Sequence, residues 1–225
     1  MSEQTNLVFV LFHNLTQLDF TGPLQVLSRL PGAQVHLAAR EMRPIETDAA
    51  LTLNPTCTFS DCPQADVICI PGGFGVDDAI NDPALMGFVK AQAVGARYVT
   101  SVCTGAFVLG AAGLLNGKRA TTHWAYHDEL ERVGAIPVKA RVVRDGNIFT
   151  GGGVTAGIDF AFTLMAEIAG DDHARAVQLG LEYDPAPPFD AGSPDKASPA
   201  AVTAMTDRYA ARIDDFRAAL ARAMA

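Results

Sequence analysis

The sequence predicts an α/β fold: a mostly parallel sheet sandwiched by helices, with a C-terminal helical arm. Three observations point to it. Short apolar runs alternate with longer helical patterns, the chain order that builds parallel sheets. The runs are continuous rather than alternating, as in strands buried on both faces. Several of them end in turns rich in glycine or other small residues.

Leu7 to Phe12 is an unbroken apolar run and reads as the first strand. A helix opens around Asp19 to Pro23 and continues to about Leu30, with Pro23 tolerated in its first turn. Gln34 to Ala39 is a second strand; Asp66 to Ile70 is a third, followed at once by Pro71, Gly72 and Gly73. Pro83 to Gly95 is helical. Tyr98 to Val102 is a fourth strand ending at Cys103, and Thr104 to Gly113 a helix closed by glycine. Arg141 to Thr150 reads as a hairpin, because Asp145-Gly146 is a type I′ turn signal. After Gly151, Gly152 and Gly153 come helices over Thr155 to Ile168 and Asp172 to Glu182.

The stretch 183–194 is too rich in proline for a regular element and reads as an arm or linker. Beyond it Val202, Met205, Tyr209, Ile213, Phe216, Leu220 and Met224 recur at three- and four-residue steps, an apolar stripe on a terminal helix. The expected organisation is an α/β domain over 1–195 and a helix over 196–225, packed on that domain or on a dimer partner.

Composition narrows the function. With 49% apolar and 19% charged residues the chain is globular rather than disordered. A net charge of -8 disfavours nonspecific nucleic-acid binding and docking on anionic membranes. The N-terminus lacks a basic region and the first apolar run is too short for a signal or a membrane span, so a cytoplasmic location is expected. Cys57, Cys62, Cys69 and Cys103 form no C-x-x-C pair, which argues against a zinc site.

Ligands of parallel α/β sheets gather beyond the carboxyl ends of the strands. Cys103 stands there, between an apolar strand and a helix, the geometry of a nucleophile elbow. A helix N-terminus offers free N–H groups and a positive dipole end, both of which favour thiolate. Gly72 and Gly73 can bring backbone N–H groups to a reacting centre, or form an ordinary turn. Asp19 can cap a helix or set a carboxyl beside the sulfur. A Cys-His pair would have to be built through the fold, with His123 the best placed candidate. Cys69, mid-strand, reads as core, and Cys57 and Cys62 as structural. Phe74, Phe107, Trp124 and Phe189 are candidates for an apolar pocket or for plain core.

Asp66-Val-Ile-Cys-Ile-Pro-Gly-Gly73, Val102-Cys-Thr-Gly105 and Ala120-Thr-Thr-His-Trp124 resemble the ThiJ/PfpI superfamily. Its fold is flavodoxin-like, of the glutamine-amidotransferase type. Leu18-Asp-Phe-Thr-Gly-Pro23 and the Glu182 to Asp195 stretch, with Thr104 after the cysteine, bring the resemblance nearest to the members that hydrate isocyanides. The resemblance implies Cys103 as nucleophile and Asp19 as general acid and base. It places backbone near Thr104 and Gly152 around the sulfur, with Val154 beside it. It also implies an isocyanide substrate, a homodimer and no cofactor or metal. Thr104 departs from the histidine that follows the cysteine in superfamily proteases, and Asp19 from the glutamate of chaperone and deglycase members. Ala120 to Trp124 also resembles the amidotransferase-like half of AraC-type regulators, so a ligand-sensing domain is the rival, followed by another cysteine-dependent hydrolase. Only 196–225 follows the matching region, short of the usual DNA-binding module.

Overall fold

The computed structural model describes residues 4–225. Seven strands form its central sheet: β1 (Thr5–Val10), β2 (Ala33–Ala39), β3 (Cys57–Thr58), β4 (Val67–Ile70), β5 (Tyr98–Val102), β6 (Val142–Asp145) and β7 (Ile148–Gly151). They lie side by side in the order β6-β7-β5-β4-β1-β2-β3. Every neighbouring pair is parallel except β6 and β7. The helices are α1 (Gln17–Leu27), α2 (Val76–Ala79), α3 (Pro83–Gly95), α4 (Gly105–Ala111), α5 (Ala156–Ala169), α6 (Asp171–Gly180) and α7 (Pro199–Ala223). A 3₁₀ helix, Trp124–Val133, follows the fifth strand's crossover.

Continuous apolar strands need cover on both faces, and they have it. Leu7, Val8, Phe9 and Val10 are all at most 1% exposed, and α1 packs on α5 while α3 packs on α4. Sheet order puts β4 and β5 at the centre, with β1 beyond β4. The turns that follow β1, β4 and β5 therefore meet at one edge, and that edge carries the candidate site.

Two boundaries differ from the sequence expectation. Helix α1 begins at Gln17, so Asp19 sits inside its first turn and Pro23 in its interior. The start is set from outside the helix: Asp48 accepts from the Thr16 hydroxyl at 2.7 Å and from the Gln17 N–H at 3.4 Å. That carboxylate satisfies a free N-terminal donor and complements the dipole. The hairpin turns one residue later than expected, because Asp145 pairs with Ile148 and leaves Gly146-Asn147 as the loop. Of those two only Gly146 has a positive φ (+65°), the pattern of a type II′ turn. Asp145 instead accepts from the Arg119 N–H at 2.9 Å.

Helix α7 starts at a Ser198 cap with Pro199 in its first turn. Its second half docks: Phe216, Ala219 and Leu220 are buried. Arg217 bonds the buried carboxylate of Glu129 at 2.7 Å, and Asn81 donates to the Ala219 carbonyl at 3.1 Å. Of the remaining stripe, Val202, Tyr209 and Ile213 are half-buried, whereas Met205 and Met224 are exposed.

Candidate active site

Cys103 is the first residue beyond β5 and has φ of +56°. A non-glycine residue in the left-handed region is strained by roughly 1–2 kcal/mol, so the surroundings must impose it. They do so from two loops. The Cys103 N–H donates to the carbonyls of Gly151 (3.1 Å) and Gly152 (2.9 Å). The Cys103 carbonyl accepts from the Thr122 hydroxyl at 2.7 Å. Gly105 completes the elbow, since a Cβ there would lie 2.3 Å from the Ile70 carbonyl oxygen. The backbone N–H groups of Thr104 and Val154 point at the sulfur, and Val154 also has a positive φ, of +26°.

Asp19 reaches the same place from α1 and is fully buried. Its Oδ2 accepts from the Gly72 N–H at 2.9 Å; Oδ1 has no well-formed hydrogen bond. The carboxyl stands beside the Cys103 thiol. Glycine is required at position 72, where a Cβ would lie 2.6 Å from the Thr104 nitrogen and 2.9 Å from Asp19 Oδ2. The Gly73 N–H donates to the Thr104 hydroxyl at 3.0 Å. Both N–H groups of the Gly72-Gly73 turn are therefore committed to site residues.

Burial dominates the electrostatics. It pushes the Asp19 carboxyl up to about 7, against the pull of the Gly72 N–H and the Cys103 thiol, and Asp48 adds a further upward push. Burial also holds the Cys103 thiol well above its ordinary value, and the Asp19 charge reinforces it. The N–H groups of Thr104 and Val154 offset only part of this. The expectation of a thiolate favoured by the helix dipole is thus corrected: α4 has only seven residues, and the cost of burying a charge is larger. The Asp19 charge acts on the thiol, so the titration of the two groups belongs to the pair.

Cys103, Gly73, Thr104 and Val154 line a cavity of about 150 Å³. Phe74, Tyr126, Tyr209 and Phe216 supply its apolar walls. Gly72 and Gly152 stand behind this lining. The Gly152 N–H donates to the Arg141 carbonyl at 2.9 Å and its own carbonyl holds the Cys103 backbone, so it shapes the elbow. Of the four aromatic residues considered from sequence, only Phe74 lines the cavity. Phe107 is buried against Phe216, with ring centroids 4.7 Å apart, and Trp124 packs edge-on against Tyr209. Phe189 is 78% exposed on the arm. His123 lines the cavity but caps the 3₁₀ helix through Nδ1, which accepts from the Ala125 N–H. Burial lowers it to about 4, so it is a neutral imidazole at physiological pH.

Sequence reasoning missed Tyr126, Arg212 and Asp48 as lining residues. Tyr209 and Phe216 stood in the stripe of the terminal helix, seven residues apart and so on one face. The stripe revealed the face, while its position over Cys103 depends on how the chain folds back. A larger cavity of about 400 Å³, between Phe12, Phe59 and Leu85, contains no cysteine.

Parallel sheet, strand-end elbow and buried thiol–carboxyl pair define an α/β protein with the geometry for thiol chemistry at the sheet's C-terminal edge. Residues 5–167 match the DJ-1/PfpI family, and the chain belongs to that family. It is 61% identical over 202 residues to an isonitrile hydratase of Pseudomonas putida, covering 90% of this chain and 89% of that one. A crystal structure of a ThiJ/PfpI family protein from Pseudomonas syringae superposes with a TM-score of 0.94 at 40% identity, covering 97% of this chain and 91% of that one. The chain is also 27% identical over 183 residues to the HTH-type transcriptional regulator GbdR of Pseudomonas aeruginosa, 77% of this chain but only 48% of the regulator.

Proposed function

We propose that this protein hydrates isocyanides to N-formamides, with Cys103 as nucleophile and Asp19 as general acid and base. The observation that carries the reading is a buried carboxyl facing a buried thiol at an apolar cavity. The 61% identity to an isonitrile hydratase supplies the substrate class.

The terminal carbon of R–N≡C accepts a soft nucleophile, and the charge that develops appears on that same carbon. The site therefore needs a proton donor aimed at carbon, which N–H groups gathered around an oxygen would not replace. As the Cys103 sulfur bonds to carbon, Asp19 takes the thiol proton and delivers it to the carbon. The product is the thioimidate R–N=CH–S–Cys103, and the proton count is unchanged. Such covalent catalysis splits one difficult step into two easier ones. Asp19, again ionised, takes a proton from water as the water oxygen adds to the same carbon, and passes that proton to the nitrogen, giving R–NH–CH(OH)–S–Cys103. The carbon–sulfur bond then breaks as the hydroxyl proton passes through Asp19 to the sulfur, releasing R–NH–CHO and restoring the Cys103 thiol. A group held at about 7 suits both roles, because it gains and loses a proton near neutral pH. In this reading the protein is a cytoplasmic homodimer that needs no cofactor. No helix among the described residues is long and apolar enough to cross a membrane.

The likeness to GbdR favours a second reading, ligand sensing in the same cavity. One assay separates the two. Purified protein and its Cys103→Ala variant are incubated with phenyl isocyanide, and formamide is followed by chromatography. Hydration predicts rapid formation by the parent protein and a loss of at least about 10³-fold in the variant. Binding without turnover by either protein would support the sensor; equal turnover by both would remove Cys103 from the chemistry.

A further inference from the structure

The cavity is assembled from two parts of the chain. Cys103, Gly73, Thr104 and Val154 on its floor, with Asp19 behind, all fall within residues 5–167, the span that matches the family. Tyr209, Arg212 and Phe216, which also line it, belong to α7, which lies beyond that span. These three are spaced at i, i+3 and i+7, one face of a helix. The Pseudomonas syringae protein covers all but 3% of this chain, about 7 of 225 residues, so most of the 25-residue α7 has a counterpart there.

The wall is held from one end. Phe216 packs on Phe107 and Tyr126, and Arg217 is tied to Glu129, whereas residues between 199 and 212 are exposed apart from Val202 and Tyr209. Tyr209 nonetheless meets His123, Trp124 and Tyr126, with ring centroids 5.1 to 5.9 Å away. Arg212 bridges the cavity mouth: its guanidinium stands 4.2 Å above the ring of Phe74, which is on the segment after β4. That cation–π contact ties α7 to the floor's own rim. A space of about 150 Å³ holds a group the size of one benzene ring. Tyr209 and Arg212 line it, and of the three α7 residues there they are the two that are not fully buried.

We propose that α7 is the substrate-selecting element, with Tyr209 and Arg212 as selectivity residues that restrict access to Cys103 to isocyanides whose R group is no larger than a single ring. The choice of isocyanides as substrate rests on the hydration reading; the restriction on access does not. Two variants, Tyr209→Ala and Arg212→Ala, are compared with the parent on phenyl and 2-naphthyl isocyanide. The ratio of kcat/KM for naphthyl over phenyl should rise by about tenfold or more in Tyr209→Ala, through KM for the naphthyl compound, and by less in Arg212→Ala. Tyr209→Phe, which keeps the ring, should leave that ratio near the parent's. In parallel, alkylation of Cys103 by iodoacetamide and by N-(1-pyrenyl)maleimide is followed on the Cys103 peptide by mass spectrometry. The bulky reagent should gain on the small one in the same order of variants. Unchanged ratios in both alanine variants would overturn the proposal and make α7 a brace alone. If the parent protein hydrates neither isocyanide, the hydration reading falls while the alkylation ratios still decide the role of α7.

Discussion

Cys69 and Cys103 sit on and just beyond adjacent strands, both are buried, and burial pushes both thiols upward, Cys69 to about 12. Their surroundings differ. Cys69 is inside β4, in register with Phe9 on one side and Thr100 on the other. Cys103 has just left β5, and its backbone is turned into the left-handed region between three glycine carbonyl or hydroxyl contacts. The interior of the sheet offers the Cys69 thiol packing and the Thr100 hydroxyl. The edge adds a carboxyl, two N–H groups and a cavity. Burial alone therefore does not mark a reactive cysteine; the end of the strand, where neighbouring turns converge, supplies what reactivity requires.

The contrast can be broken by experiment. Among variants that leave Cys103 in place, the largest effect is expected from Asp19→Asn, which keeps the shape but removes the transferable proton; formamide formation should fall roughly 10²–10⁴-fold. The same variant has a thermodynamic signature. Folded Asp19 keeps its proton up to about 7, while an unfolded aspartate loses it near 3.8, so the parent protein loses stability as pH rises between those values. Asparagine has no such loss. Asp19→Asn should melt above the parent at pH 8, with the gap closing towards pH 4. Melting curves at the two pH values check it, and a gap that does not change with pH would remove Asp19 from the titrating pair.

Gly72→Ala should have an intermediate effect. The added Cβ must displace Asp19 Oδ2 or the Thr104 nitrogen, and a misplacement near 1 Å lowers rates by roughly 10²-fold. Steady-state kinetics would show it in kcat; a change confined to KM would mean that the carboxyl keeps its place. Cys69→Ala should change kcat least of all while removing about 1–2 kcal/mol of stability, read by denaturant unfolding. A rate loss like that of Asp19→Asn would erase the distinction between sheet interior and edge.

Much of the scaffold was legible because the strands are continuous apolar runs and their ends carry turn residues. Cys103 and Asp19 fall at one edge because parallel strands all end there, which the βαβ pattern already implies; the strand order that brings them together is not in that pattern. Features that depend on contacts between distant segments were not legible. Asp48, not a local cap, fixes the start of α1 and so moves Asp19 into the helix. The protonation of Cys103 turns on burial, which no sequence pattern states, and it overrides the dipole argument. The cavity walls come from a helix more than a hundred residues after the cysteine, so Tyr209 and Phe216 could be read only as a stripe.

The bend that places Cys103 above its helix has a consequence for directed evolution. A left-handed residue without glycine's freedom and a carboxyl buried against its preference both oppose folding. A library screened by heat challenge alone would enrich Cys103→Gly and Asp19→Asn among its most durable survivors, and those are the clones in which the thiol and carboxyl no longer meet. Durability and reactivity pull in opposite directions at these two positions, so a useful screen must read product and melting together.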